Sequence, residues 1–296
     1  MGGYTLGDVA RICGVAPGRL RYWRRMRLLE PQLRGRRRAS FEFDDLVSVR
    51  TLVTLLDQGV PLRRIRHSVE AVRRAMPDVQ RPLGSLRLWD ARAMRVVLRH
   101  EGYLVEPDGQ LVLDLSPDEQ AEPGRVTSLL RGASGDLMRT PRDVAEEWFE
   151  RGCRLDTDRR TWAEAIEAYE NALGADPEFA DAHCNLGTIY YNQNRRGLAQ
   201  ECFQRAIAFE PEHVEAHLNV ATVFEEEGRN ESALHHYKLA MVADPLAADT
   251  YVSLALLYEK LDLPGRGRDH WRRYLQLDPE GSWADVARRH LSSPPS

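Results

Sequence analysis

The 296-residue chain is 43% hydrophobic, an ordinary globular proportion, and long enough for two domains or for one domain with a repeat array. Its net charge of −4 conceals two oppositely charged parts: residues 1–76 hold 16 arginines and no lysine against seven acids, a net +9, whereas residues 77–296 hold 25 basic against 38 acidic residues, a net −13. Cys13, Cys153, Cys184 and Cys202 show no C-x-x-C or zinc-ligand spacing, no apolar run reaches the roughly 20 residues that span a bilayer, and Asp8 and Arg11 break any signal peptide, so disulfide, structural-zinc, membrane and secreted classes are disfavoured. The expected setting is the cytoplasm, beside the nucleoid, with a basic module made for a polyanion tethered to an acidic module with another task.

The first element, "YTLGDVARICG", places Thr5 at a helix N-cap before an apolar stripe of Leu6, Val9, Ala10 and Ile12, and Gly14 ends it. Val15 anchors a turn, and Pro17 starts a second helix. Leu20, Trp23 and Met26 of that helix face inward, leaving Arg19, Arg21, Tyr22, Arg24 and Arg25 on its outer side. A basic loop, "QLRGRRRASFEF", follows, with Arg36, Arg37 and Arg38 ahead of β-prone Phe41 and Phe43. Two further helices, broken at Gly59-Val60-Pro61, carry core-facing stripes of Leu46, Val49, Leu52, Val53 and Leu56, and of Leu62, Ile65 and Val69.

Tyr4-Thr5-Leu6, Val9-Ala10, Gly14-Val15, Leu20-Arg21-Tyr22-Trp23, Leu28-Leu29-Glu30-Pro31, Phe41, Asp45-Leu46 and Gly59-Val60 give residues 4–74 their resemblance to the winged helix-turn-helix of MerR-type transcription regulators. The resemblance implies a second helix in the major groove and a basic wing on the flanking backbone. It also implies a dimer that bends and untwists an overlong promoter spacer. Carried over by position, Arg21 and Tyr22 reach base edges or phosphate, and Arg36, Arg37 and Arg38 hold phosphates. Arg19, Arg24 and Arg25 join the contact set by location. Two departures make the surface more basic: Arg27 stands where the family has a glycine of positive φ, and Arg24 where it has an acid. A third concerns assembly, because Pro77 and Pro82 stop the long dimerisation helix of the family, so a homodimer needs an atypical interface.

Residues 77–115 contain "RVVLRHEGYLVEPDGQLVLDL", in which Gly102 and Pro107-Asp108-Gly109 separate β-prone runs, and predict a small β-meander or hairpin. Residues 116–142, rich in Ser, Pro, Gly and charge, read as a linker.

Beyond them, Pro177, Pro211, Pro245 and Pro279 recur every 34 residues, each after an Asp or Glu. Leu186, Gly187, Tyr190, Ala199, Phe203 and Ala206 recur in kind as Val220, Ala221, Phe224, Ala233, Tyr237 and Ala240, then as Leu254, Ala255, Tyr258, Gly267 and Trp271. A looser first unit offers Trp148, Gly152, Ala165, Tyr169 and Ala172. This resembles the tetratricopeptide pattern and predicts four helix pairs at about 143–177, 178–211, 212–245 and 246–279, closed by a capping helix over 280–292. The fold class is thus mainly α: a winged helix-turn-helix, a small β segment, and a solenoid of tetratricopeptide helix pairs.

Helical geometry turns Asp181, Cys184, Asn185, Thr188 and Asn192 toward the concave side, followed by Glu215, Leu218, Asn219, Thr222 and Glu226 in the next unit and by Asp249, Val252, Leu256 and Glu259 in the last. Asn185 and Asn219 resemble the asparagines that hydrogen-bond an extended ligand in peptide-binding tetratricopeptide grooves, with Thr188, Asn192, Thr222 and Glu226 beside them. The groove is acidic and suits a basic or apolar segment. No histidine pairs with a nucleophile or ligand set and no phosphate-cradling Gly-rich loop occurs, so neither enzyme chemistry nor a cofactor is expected. The sequence therefore points to a bacterial regulator that binds double-stranded DNA at one end and a protein or peptide at the other. The alternatives are a scaffold whose MerR-like domain docks protein instead of DNA, and an excisionase-like architectural DNA binder.

Overall fold

The computed structural model describes residues 3–30, 32–33, 39–79, 81–90, 95–100, 103–107, 111–112 and 140–292. Helices α1 (Leu6–Cys13) and α2 (Pro17–Arg25) form the helix-turn-helix. Thr5 caps α1 reciprocally: its hydroxyl accepts the Asp8 N–H at 3.1 Å while the Asp8 carboxylate accepts the Thr5 N–H at 3.0 Å. Gly14 ends α1 at φ 66°, a left-handed turn that needs no Cβ. Arg27 takes the same left-handed region at φ 54° directly after α2, so an arginine occupies the turn where the MerR pattern uses glycine.

Strands β1 (Gln32–Leu33) and β2 (Ala39–Ser40) pair antiparallel at the base of the wing, and an isolated bridge joins Tyr4 to Phe41. The predicted contacts Arg36, Arg37 and Arg38 lie outside the described residues. Helices α3 (Phe43–Asp57) and α4 (Leu62–Ala75) supply the floor of this domain, and a four-residue turn of helix, α5 (Pro82–Ser85), packs on α3. Strands β3 (Leu86–Asp90), β4 (Arg95–His100), β5 (Tyr103–Val105) and β6 (Leu111–Val112) follow as one antiparallel meander in sequence order. Leu86 and Leu98 are register partners and both are fully buried, which fastens this sheet to the helix-turn-helix domain.

The C-terminal part is a series of helix pairs, one to each repeat: α6 (Pro141–Leu155) with α7 (Trp162–Ala175), α8 (Ala180–Asn192) with α9 (Arg196–Phe209), α10 (Val214–Glu226) with α11 (Asn230–Ala243), and α12 (Ala248–Lys260) with α13 (Pro264–Leu277), after which α14 (Ala284–Ser292) covers the end. Small and aromatic residues interlock at each crossing: a Cβ on Gly187 would meet the Phe203 ring at 2.7 Å, and one on Gly152 the Tyr169 ring at 2.5 Å. That close approach explains why the periodic pattern alternates small with aromatic positions. Helix α6 begins two residues inside the stretch read as linker, because Thr140 and Asp143 form a second reciprocal cap around Pro141 at the first helical position.

The buried apolar side chains do not stop at the module boundary. One contiguous cluster runs from Val9, Leu20 and Trp23 through Phe149, Phe179 and Phe203 to Tyr258, so the helix-turn-helix and the repeats share a core. Left-handed backbone costs an L-residue about 1–2 kcal/mol, part of which glycine avoids. Arg27→Gly is therefore expected to stabilise the protein by about 0.5–1 kcal/mol, measured as a rise in the urea midpoint at unchanged slope.

Candidate functional site

Helix α2 exists because Pro17 pre-sets its first turn and the leucine and four arginines of "GRLRYWRR" favour helix against the cost of Gly18, and its position is fixed on one side by Leu20 against the domain core. Its other side does not face solvent. Arg21 is 8% exposed and Tyr22 is 1% exposed, because both lie against the concave surface of the repeats.

The contact has an apolar centre and an ionic frame. The Tyr22 ring meets Phe149 of α6 edge-on at 5.0 Å between centroids and tilts over Phe179 at 5.9 Å, while Phe149 and Phe179 pack on each other at 4.8 Å. Around it, Arg19 pairs with Glu150 of α6, and the Trp23 indole N–H donates to the same carboxylate at 3.2 Å. Arg21 pairs with Glu215 of α10 and lies 3.7 Å from Asp244. Arg25 pairs with Asp181 of α8 and lies 3.3 Å from Glu210. Asp181 and Glu215 are 34 residues apart, as are Glu210 and Asp244, so Arg25 receives two carboxylates from one repeat and Arg21, a helical turn away, the matching two from the next.

The neighbouring helices extend the frame. Arg66 of α4 reaches Glu146 at 3.0 Å and Asp143 at 3.5 Å, Arg63 lies 3.7 Å from Glu147, and Gly7 at the start of α1 sits beside Asp278, where a Cβ would lie 3.5 Å from the carboxylate. His213 orders the acidic side. Its Nδ1 accepts the Ala216 N–H at 3.2 Å, which leaves Nε2 to carry the proton, 3.4 Å from Asp181 Oδ1.

Burial opposes the charged form of Asp181, but the His213 ring and the Arg25 guanidinium outweigh it and hold the carboxyl below its ordinary value. Burial likewise opposes the Glu215 carboxylate, and Arg21 and His213 hold it down. Arg19, Arg21 and Arg25 are raised: burial works against their charge, and the facing carboxylates overcome it. Asp181, Glu210 and His213 bring ligand-type atoms within 4.8 Å of one another. The Arg25 guanidinium already bridges the two carboxylates, so this cluster has its cation.

Of the residues assigned to DNA, Arg19, Arg21, Tyr22 and Arg25 are thus brought together on the repeats, Arg25 at the exposed edge of the contact, and Arg24 is half-buried. The residues assigned to the peptide groove are gathered along the same inner helices, and all but the exposed Asn192 hydrogen-bond within the array. The Asn185 amide donates to Tyr169 Oη at 3.1 Å, and the Asn219 amide to Thr188 Oγ1 at 3.2 Å. The Thr188 and Thr222 hydroxyls each donate to a carbonyl one turn back at 3.0 Å, Glu226 accepts from Tyr191 at 2.5 Å, and Asn192 stands at the end of α8. Missed by sequence reasoning were Phe149, Glu150, Phe179, Glu210 and Asp244. Only the acid before each repeat proline was in view, as a period without a partner.

Comparison with known proteins separates the two halves. Residues 4–72 match the family described as "MerR HTH family regulatory protein", residues 154–194 the "TPR repeat" and residues 180–213 the "Tetratricopeptide repeat". No curated protein matches the chain. Similar solved structures include MamA, 21% identical at a TM-score of 0.39 over 46% of this chain and 79% of that one. PilF of Pseudomonas aeruginosa is 20% identical at a TM-score of 0.47 over 51% and 68%. YrrB, described as "a TPR protein with an unusual peptide-binding site", is 22% identical at 0.41 over 49% and 74%.

Two outcomes follow from the contact. The Tyr22 hydroxyl is buried and has no hydrogen-bond partner among the described residues, so Tyr22→Phe is expected to leave the full chain as stable or more stable, whereas Tyr22→Ala removes the apolar centre at a cost of about 3 kcal/mol or more; thermal denaturation of the pair distinguishes the two effects. The second is a pH dependence. Asp181 and Glu215 have depressed folded-state values, so their contribution is present above the ordinary carboxyl range, about pH 4, and is lost as the pH falls through their lowered values. Urea unfolding at pH 7 and pH 3 is expected to show a smaller acid loss in Asp181→Asn with Glu215→Gln than in the wild type, and an equal loss in both contradicts the assignment.

Proposed function

We propose that this fusion of a MerR-type helix-turn-helix domain (residues 4–72) with tetratricopeptide repeats is a sequence-specific DNA-binding transcription regulator whose repeat array serves protein recognition, without catalysis of its own. The observation that carries the DNA half is the make-up of α2. It is the second helix of a helix-turn-helix, and it bears Arg19, Arg21, Arg24 and Arg25 with no acidic residue among them. Phosphate contacts from these arginines and from the wing supply affinity, and Arg21 with Tyr22 supplies base reading.

The protein-recognition half rests on the groove itself: carboxylates in 34-residue register around the Phe149-Phe179 pocket accept a cationic, aromatic-bearing helix. Arginine guanidinia, not an extended peptide backbone, are what this groove holds, which moves the weight from Asn185 and Asn219 to Asp181 and Glu215. Among the described residues no helix is long and apolar enough to cross a membrane. The placement of α2 on the repeats also favours a second reading, that the helix-turn-helix is a protein-docking module and binds no DNA.

Full chain carrying Asp181→Asn and Glu215→Gln, in which the ionic hold on α2 is relaxed, decides between them. Selection from a random duplex pool is expected to return a consensus, with log affinity falling linearly in log salt. Removing Arg36, Arg37 and Arg38 together is expected to make that slope shallower by up to about 0.9 for each phosphate no longer neutralised. A symmetric consensus reports a dimer as well. Absence of salt-sensitive duplex binding by this chain counts for the docking reading instead.

A further inference from the structure

The face of α2 that helix-turn-helix geometry turns toward DNA is the face that lies on the repeats. A major groove cannot approach Arg21 or Tyr22 while they are 8% and 1% exposed beneath α6, α8 and α10. We propose that α2 is the resident ligand of the repeat groove, that the structure is the closed and DNA-excluding state of a switch, and that an arginine-bearing partner helix opens it by taking the place of α2. The inference rests on the DNA-binding reading above and deepens it, since it states how that activity is withheld and by what chemistry it is released.

Three features of the contact support a reversible state over a permanent core. First, the groove offers α2 a substitute for phosphate. Glu150, Asp181, Glu210, Glu215 and Asp244 surround Arg19, Arg21 and Arg25, so the same guanidinia face carboxylates in one state and phosphates in the other. Second, the buried Tyr22 hydroxyl has no hydrogen-bond partner among the described residues. A phenylalanine would fill the Phe149-Phe179 pocket equally well, so the closed state makes no use of the hydroxyl, whereas helix-turn-helix geometry would put it at a phosphate or base edge. Third, the frame of the contact is ionic, and ion pairs taken partly out of water set register and partner choice while adding little net stability.

Competition for one face makes the two ligands of the protein interdependent. A helix that occupies the groove frees α2, and by linkage DNA that captures α2 raises the affinity of the groove for that helix by the same factor. The groove defines the competitor: an amphipathic helix with two arginines one turn apart and an aromatic ring beside the first, as Arg21, Tyr22 and Arg25 present them.

A cross-link across the contact tests the switch in the full chain. A Cβ at position 18 would lie 3.5 Å from Glu215 Cγ, near enough for Gly18→Cys with Glu215→Cys to form a disulfide that locks α2 down, while the reduced form lacks the carboxylate that holds Arg21. The oxidised protein, its disulfide verified by mass spectrometry and compared with oxidised wild type, is expected to bind the selected duplex at least tenfold more weakly than the reduced protein. The reduced protein is expected to bind at least as tightly as wild type and to show a larger radius of gyration. Equal affinity of the locked and reduced forms overturns the switch. Failure of both forms to bind DNA, with the reduced form expanded, overturns the DNA reading on which the switch rests and leaves the cis contact standing.

A second arm uses a fluorescent peptide of residues 16–29 as the competing helix. It is expected to bind full chain carrying Arg21→Ala and Arg25→Ala at least tenfold more tightly than wild type, because the cis ligand is weakened. Equal binding to the two overturns the assignment of α2 as the ligand of the groove.

Discussion

The arrangement depends on the register between arginines on one helix and carboxylates on a repeating scaffold. A tetratricopeptide array repeats whatever it carries every 34 residues, and here it repeats acids at two positions: Asp181 and Glu215 on the first helices, Glu210 and Asp244 before the turn prolines. An α-helix repeats a face every 3.6 residues, which puts Arg21 and Arg25 on one side a turn apart. Two unrelated periodicities thus meet at four carboxylates and two guanidinia, and the flexible arginine stems take up the mismatch between them. The charge split seen in the composition is complementary within the molecule, so the first polyanion that the basic module meets is its own C-terminal part.

Ionic register decides which surface meets which, and the apolar centre supplies most of the favourable free energy. Tyr22 joins Phe149 and Phe179, and through them the core of the helix-turn-helix runs on into the core of the first two repeats. Taking five carboxylates and three guanidinia partly out of water offsets much of their attraction, so the frame contributes little beyond orientation. It also makes error expensive: a charge left without its partner in this contact costs far more than the pair was worth.

The fold was largely legible because its signals are local or periodic. Thr5, Gly14 and Pro17 mark the helix-turn-helix by cap and turn chemistry, and the small-aromatic alternation from Ala199 to Trp271 marks the repeats. The positive φ at Arg27 was implied by family geometry against the residue present, and the backbone keeps the conformation with an arginine in it. The start of α6 was displaced by two residues because Thr140 and Asp143 sit at the edge of a stretch whose composition reads as linker. The site was legible only in halves. Outward placement of Arg21 and Tyr22 on α2 and concave placement of Asp181 and Glu215 both follow from helical geometry, and so did the preference of an acidic groove for a basic segment. That the basic segment lies in the same chain, more than 150 residues upstream of Asp181, is a tertiary fact that no local period encodes.

Reading Asn185 and Asn219 as ligand-binding groups assumed an extended peptide whose backbone needs donors and acceptors. A helix satisfies its own backbone and presents only side chains. A groove that receives a helix therefore needs charges and an apolar pocket, and its amides are free to brace the array, as those of Asn185 and Asn219 do against Tyr169 and Thr188. The same logic accounts for the position of the ion pairs. A receptor for one helix face must be specific without being so tight that the face is never released, and ion pairs at the rim of a small aromatic pocket meet both conditions, because solvent and phosphate compete for guanidinia far better than for a phenyl ring.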